Sequence, residues 1–479
     1  MKNKILTIGI ILSILLATFA IQTYEPAPSR YQQHLEEAGF SSCQTTNTFC
    51  THLPLFHIHT QQEIPTPYLM DAEGKPLKQE DGRVLFNDEI IDANIEYFNN
   101  TNHENQLDNR PDIDEEGQIR ARGNSSRLFD KKNYLLKFNE KIAIDGMSPD
   151  NTWTLHGPFL DKTLIRNYMC NNIVAQVEGY APNVRFCELF INKEYMGVYL
   201  LTEKINYNKE GRVNISKTDP KSAETSYILR LDSGETDSLH SLTTFADDSG
   251  RRGMSTRHYE KLEILYPNAT LTEDQKEWIR YEVSRFEKAL IQKQDYSQYI
   301  DVDSFVNYYI LSEFFMNLDA GKRSTYLVKD LRGKYEIAGW DYNNTFNNYF
   351  DDLSHPQKFY VHNVWYDQLL KDPDFVDKVI KKYKKLRKNI LSDEYLYEYI
   401  DSTIDYLGPA IQRNNQIWGY SMEKDFIQNP NNTYQVVYPL SRNPKSYQQA
   451  VDQLKKAISQ RGKFLDENIE TLKARTEKR

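Results

Sequence analysis

Asp319 and Asp341 are the residues whose placement in this chain asks for chemistry. They lie in "NLDAGKRSTYLVKDLRGKYEIAGWDYNNTF", residues 317–346. Asp319 precedes a strand-like run, Ser324 to Asp330, and Asp341 follows another, Lys334 to Trp340, with Leu331-Arg332-Gly333 as the turn. In an antiparallel hairpin the start of the first strand lies beside the end of the second. Ser324 then falls roughly opposite Trp340, and both carboxylates arrive at the same open end. Two like charges brought together repel unless a cation or a shared proton sits between them. A hard divalent ion with oxygen ligands suits such a pair, and Mg²⁺ typically brings phosphates with it. The structural alternative is that Asp319 serves the exit turn of the preceding helix while Asp341 opens an Asx-turn into Asn343-Asn344. A helix, an Asp, a hairpin and a second Asp is also the order of a protein-kinase catalytic loop and metal-binding Asp.

The elements that must position this hairpin divide into two halves. "LPLFHIHT" (53–60) and "GRVLFNDEIIDANIEYF" (82–98) alternate as strands. Residues 99–117 are polar and read as a loop, and 118–138 as strand, tight turn, strand. Residues 184–205 form a hairpin around Asn192-Lys193, "SYILRLD" (226–232) is a further strand, and the polar stretch Ser233 to Tyr259 reads as a disordered loop. Helical spacing then takes over. Thr272 and Gln275 make a capping box ahead of Trp278, Ile279, Val283, Phe286 and Leu290, and Asp303 can cap "SFVNYYILSEFFMN". "DFVDKVIKKYKKLRKNIL" and a last helix with Val451, Leu454, Ile458 and Leu465 on one face complete the chain. The expectation is an α+β fold, β-rich over 51–232 and helix-rich over 263–479. His57 and His59 share one strand face, but with no third ligand nearby they argue against a metal site.

The chain has 479 residues with a formal charge of −9 and only 20 Gly. It carries no P-loop, Gly-x-Gly-x-x-Gly, His-Glu-x-x-His or Gly-x-Ser-x-Gly motif. Lys2 and Lys4 precede an apolar run from Ile5 to Leu16, then Ala17, Thr18 and Ala20, the layout of a secretory signal over 1–20. The alternative is an uncleaved anchor, since Ile5 to Ile21 could just span a membrane. Residues 21–50 read as an N-terminal lead. Removing 1–20 takes away two lysines and no acid, so −9 becomes −11, a poor balance for nucleic-acid binding. Four cysteines in an exported chain suggest two disulfide bonds, most simply Cys43–Cys50 and Cys170–Cys187.

Several stretches together resemble the CotH-type (spore coat protein H) atypical protein kinases: "RARGNSS" (120–126), "KKNYLLKF" (131–138), "TLIRN" (163–167), "NKEYMGVYLLTEKI" (192–205), "YILRLD" (227–232) and "GWDYNNTF" (339–346). Their order covers the chain from about Leu53 to the last helix, so the resemblance implies one kinase-like domain over 51–479. It implies ATP and a divalent metal, Mg²⁺ or Mn²⁺, as cofactors and a protein hydroxyl as acceptor. Carried over residue by residue, it makes Asp319 the catalytic Asp, Asp341 a metal ligand and Trp340 a platform for adenine. A kinase also needs a cation on the α/β-phosphates, oriented by a carboxylate. Lys137 and Glu203 are the candidates, with Lys132, Arg122 and Lys204 as alternatives, though each also reads as a solvated strand residue. Arg122-Gly123-Asn124-Ser125 could form a phosphate-facing turn, and Arg166 could reach a phosphate or brace a helix. One departure stands out. The family's pattern carries a metal-binding Asn five residues after the catalytic Asp, and here Ser324 occupies that position.

The reading that follows is an exported protein kinase acting on Ser/Thr or other hydroxyls of extracytoplasmic proteins, whether secreted, periplasmic or surface-attached. Its rivals are a glycosidase, which would also use two carboxylates, and a catalytically silent surface, adhesion or scaffold protein, which Ser324 favours.

Overall fold

Ile91, Ala93, Ile95 and Tyr97 are buried while Asp92, Asn94 and Glu96 between them are not, and this period of two recurs through the first half of the chain. A computed structural model describes residues 31–37, 48–78, 84–100, 104–178, 181–208, 213, 215–232, 237–251, 261–348, 355–428 and 437–477. Seven strands, β1 (Leu55–Thr60), β2 (Ile91–Phe98), β3 (Ile113–Arg122), β4 (Asn133–Ile142), β5 (Asp150–His156), β6 (Val184–Ile191) and β7 (Glu194–Thr202), close into a barrel in the order β1-β2-β3-β4-β5-β7-β6. Closure is made by β6 running parallel to β1, with every other pairing antiparallel. Phe56, Ile58, Ile95, Leu136, Trp153 and Leu201 fill the interior.

A second sheet is built from β8 (Tyr227–Asp232), β9 (Lys261–Tyr266), β10 (Thr325–Lys329) and β11 (Glu336–Gly339), with the short strand Ser241–Leu242 at one edge. Its order is Ser241–Leu242, β9, β8, β10, β11, all antiparallel. One face (Tyr227, Leu229, Leu231, Leu327, Ile337) joins the main core. The other face (Ile228, Tyr326, Ala338) packs on Ile205, Val213 and Ile215, just beyond the barrel's last strand. The hairpin is therefore apolar on both sides along its length and polar only at its ends.

The helices are α1 (Arg166–Glu178), α2 (Glu273–Ile291), α3 (Val302–Phe314), α4 (Pro373–Arg387), α5 (Asp393–Leu407), α6 (Pro409–Trp418) and α7 (Tyr447–Asn468). From Phe305 to Phe314 every residue of α3 is buried, so it is the central helix. Truncating one of its aromatic residues would cost about 3–5 kcal/mol. Its last turn is anchored by a buried ion pair, Glu313 to Arg461 of α7 at 2.7 Å, with the carboxylate also accepting from the Val361 amide at 2.9 Å. Because the remaining polar atoms are bonded too, this pair fixes geometry without leaving an orphaned charge.

Several expectations need correction. The polar tract 99–117 is not all loop: β3 begins at Ile113, its acidic first half exposed while it pairs with β2. Part of Ser233–Tyr259 is ordered, as the strand Ser241–Leu242 and the helix Phe245–Asp248, capped by Thr244. The cap of α3 is Asp301, whose side chain accepts from Ser304 N, rather than Asp303. Within the N-terminal lead, Gln33–Glu36 is a short helix, and Gln33 exchanges hydrogen bonds with the Phe186 backbone at 3.2 and 2.6 Å. Gln32–Arg479 form one compact unit, and the segment read as a signal lies outside the described residues. Among the described residues no helix is long and apolar enough to cross a membrane.

The Cys170–Cys187 bridge is also absent. Cys170 sits on α1 near the Thr345 hydroxyl, Cys187 faces the barrel interior, and both are buried free thiols. Cys43, of the other expected pair, lies outside the described residues. Burial pushes both thiols up from their ordinary pKa, which suppresses the reactive thiolate. Alkylation without reductant should therefore leave Cys170 and Cys187 unmodified in the native protein and label both in denaturant. Labelling of either in the native state, as read by mass spectrometry, would contradict this packing.

Candidate active site

The hairpin register places the two aspartates. Thr325 pairs with Gly339, and the Trp340 amide donates to the Ser324 carbonyl at 2.9 Å, closing the ladder one residue further on. Asp319 enters and Asp341 leaves at this end. On the neighbouring strand Leu231 pairs with Thr325, so Asp232, the next residue of β8, comes to the same edge. The half-buried Asp319 carboxyl is held above its ordinary range, first by burial and then by the charges of Asp341 and Asp232, with Arg323 opposing. Three carboxylates thus share one sheet edge.

Both loops are fastened by hydrogen bonds. The Asp319 carbonyl accepts from the amides of Lys322 and Arg323 at 2.9 and 2.8 Å, and the Asn317 side chain accepts from the Asp319 amide at 3.1 Å. Gly321, at φ +74°, donates to the Tyr308 hydroxyl and Thr325 Oγ1 while its carbonyl accepts from Asn363, and a Cβ there would meet Asn363 Nδ2 at 2.8 Å. Asp341 itself is left-handed, at φ 68°, which costs a non-glycine residue of order 1–2 kcal/mol. Asn167 on α1 offsets that strain: its Oδ1 accepts from the Tyr342 amide at 2.5 Å and its Nδ2 donates to Asn343 Oδ1 at 2.8 Å. The Asn343 amide donates to Asp341 Oδ1 at 3.1 Å, an Asx-turn that leaves the second carboxylate oxygen for other partners. Beside it, Arg166 pairs with the buried Asp161 at 2.5 Å and donates to the Thr345 carbonyl at 3.1 Å, so it braces this loop.

Cations face the carboxylates. Arg122, the last residue of β3, is half-buried and stands 5.8 Å over the Trp340 ring. Burial pulls its guanidinium below the usual range, with Arg120 and Arg230 adding to the effect and Tyr326 and Asp341 opposing it. Lys204, just after β7, is also lowered, by burial and then by Arg122, Arg120 and Arg230, with Asp150 opposing. Arg230, on β8, pairs with Glu263 and reaches Asp232 at 3.6 Å. His156, at the end of β5, is buried and its Nε2 has no hydrogen-bond partner among the described residues; burial holds its imidazole below the ordinary range, with Asp341 opposing and Arg122 adding to the effect.

Among the sequence candidates, Asp319, Asp341, Ser324, Arg122, Lys204 and Trp340 come to this region. Lys137 does not share it: it is an exposed residue on the outer face of β4, opposite Gln118 and Thr152. No ion pair joins Lys137 to Glu203 among the described residues. The Glu203 carboxylate accepts from the Asn183 amide at 2.8 Å, fastening the chain before β6 to the end of β7. Lys132 donates to the Arg127 carbonyl at 3.0 Å and so stitches the turn after Arg122-Gly123. Ser324 is left-handed too, at φ 49°, and half-buried. Arg230, Asp232 and His156 were missed. The first two belong to "YILRLD", and alternation with Leu229 and Leu231 would have placed both on one face.

An α+β chain whose sheet edge gathers three carboxylates opposite a cluster of cations has the makings of a centre for anionic substrates and hard metal ions. The CotH kinase protein family model matches residues 119–465, most of the chain, and spans every one of these residues. The chain belongs to the CotH kinase family. A search of curated proteins finds no match.

Because its folded-state pKa is raised, Asp319 contributes stability below its unfolded value of about 4 and loses it as pH rises through the folded value. Asp319→Asn should therefore be more stable than the parent at neutral pH without metal, and the gap in Tm should close as pH falls towards 4. Equal stability of the two proteins at every pH, in chelator, would contradict the raised carboxyl that burial, with Asp341 and Asp232, imposes on Asp319.

Proposed function

We propose that this chain is an exported, metal-dependent protein kinase with a kinase-like fold, transferring the ATP γ-phosphoryl group to Ser/Thr or other hydroxyls of extracytoplasmic proteins. The observation that carries the reading is the convergence of Asp319, Asp341 and Asp232 on one sheet edge, with Arg122 acting on Asp341 and Lys204 beside Arg122. Carboxylate oxygens in that number fit Mg²⁺ or Mn²⁺, which prefer oxygen ligands and arrive with phosphates. A bound divalent ion would supply charge neutralisation on the transferring phosphoryl group. Membership of the CotH kinase family supports the same chemistry.

In this reading Asp341 holds the metal, its backbone presented by the Asn167 clamp. Asp319 orients the acceptor hydroxyl and takes its proton, a task that a raised carboxyl pKa suits. Arg122 and Lys204 replace the Lys137–Glu203 pair as the phosphate-binding cations, since Lys137 points away from the carboxylates. Trp340 holds Arg122 against its ring and so positions that guanidinium. The putting of a signal at 1–20 and a single domain over 51–479 belongs to the same proposal.

Ser324 favours a second reading, a catalytically silent scaffold. A hydroxyl is shorter than an Asn amide and reaches a metal less readily. The loss of one good neutral ligand costs on the order of 1–3 kcal/mol, roughly tenfold to a hundredfold in metal affinity.

Transfer from labelled ATP to a hydroxyl-rich acceptor tests both readings. Asp341→Asn should abolish metal-dependent nucleotide binding, and Asp319→Asn should keep binding while losing transfer. If both variants bind and transfer like the parent, the hairpin end is not the active centre. Ser324→Asn should lower the metal concentration for half-maximal transfer roughly tenfold to a hundredfold. Background transfer by parent and Ser324→Asn alike, at every metal concentration, would favour the scaffold.

A further inference from the structure

His57 and His59 acquire the third partner that their own strand does not supply. Glu96, on β2, is the register partner of His57 on β1, and His59 lies two residues along the same outward face. His57 Nδ1 is 3.0 Å and His59 Nε2 2.9 Å from one and the same oxygen, Glu96 Oε2. The ligand atoms of the three residues all lie within 4.8 Å of one another, and all three residues are half-buried.

The protonation pattern makes this more than a polar contact. His57 Nε2 lies 2.7 Å from the Asn192 carbonyl oxygen, which can only accept, so that nitrogen carries the proton. In the neutral ring Nδ1 then presents a lone pair, and it is buried with no hydrogen-bond partner although a carboxylate oxygen stands beside it. Two electron pairs facing each other at that distance call for a cation between them, a proton or a metal ion. The Asn192 carbonyl is itself held in place: its side chain accepts from the Thr60 amide at 2.9 Å and donates to Thr60 Oγ1 at 3.1 Å. A ring N–H donated to a backbone carbonyl is the usual outer support of a metal-binding histidine.

We infer that His57, His59 and Glu96 form a transition-metal site of the zinc class on the outer face of the barrel, separate from the carboxylates of the hairpin. Two imidazoles and one carboxylate are a zinc donor set with a fourth position left open, whereas Mg²⁺ and Ca²⁺ prefer oxygen alone. Bonds of about 2.0–2.1 Å in a tetrahedron separate neighbouring ligand atoms by about 3.3 Å. The two His–Glu96 separations of 2.9–3.0 Å need an opening of only a few tenths, and the two ring nitrogens lie within 4.8 Å of each other. His59 is the most exposed of the three, its side chain 44% accessible, so the open position faces solvent.

The test is a Co²⁺ titration of the full chain, followed by the visible absorption of tetrahedral Co²⁺ in excess Mg²⁺. One equivalent should bind and be displaced by Zn²⁺ but not by Mg²⁺. His59→Ala and Glu96→Gln, at surface positions where folding is least at risk, should each weaken it at least about a hundredfold. Unchanged thermal unfolding without metal will separate lost ligation from lost fold. No tetrahedral absorption in the parent, displacement by Mg²⁺, or equal affinity in folded variants would overturn the site.

Discussion

Everything proposed for this molecule depends on the register of one hairpin. With Thr325 opposite Gly339, the chain must deliver Asp319 and Asp341 to the same edge. The neighbouring strand adds Asp232. Apolar packing on both faces of the sheet holds that register, because a slip by one residue would carry every side chain into the opposite core, which it does not fit. Electrostatic repulsion at the edge is thus imposed by hydrophobic burial elsewhere. Charges that a flexible loop would separate are kept together by a core that cannot rearrange.

The cost of that arrangement is met close by. Asp341 and Ser324 both take left-handed backbone, and each is followed by a residue locked in place. Asn167 and Arg166, at the start of α1, fasten the loop after Asp341, while Tyr308, Thr325 and Asn363 fasten the loop after Asp319. The Glu313–Arg461 pair then ties α3, which leads into Asp319, to the last helix. Strained residues surrounded by such over-determined geometry tend to mark functional sites.

What could be read in the sequence was local. The hairpin, its turn and the meeting of Ser324 with Trp340 follow from alternation and turn chemistry over a short span. The Asn192-Lys193 hairpin and the Thr272–Gln275 capping box are local in the same way. The barrel's closure was not legible, because the parallel pairing of β6 with β1 joins segments far apart in the chain. The same distance hid Glu96 from His57 and His59, and Asp232 from Asp319. Lys137 misled because alternation gives it a face of the strand without saying that this face looks to solvent. The Cys170–Cys187 pair misled because an even count says nothing of which core each thiol enters.

The central claim is that the open end of the hairpin, with Asp341 as the metal ligand, holds a divalent ion together with nucleotide. Electron paramagnetic resonance of Mn²⁺ reads it directly, since the free aquo ion gives a six-line signal that fades on binding. Adding the full chain to Mn²⁺ and ATP should remove signal beyond what ATP alone removes, and excess Mg²⁺ should restore it. A free-ion signal that the protein leaves unchanged, with or without ATP, would contradict the account.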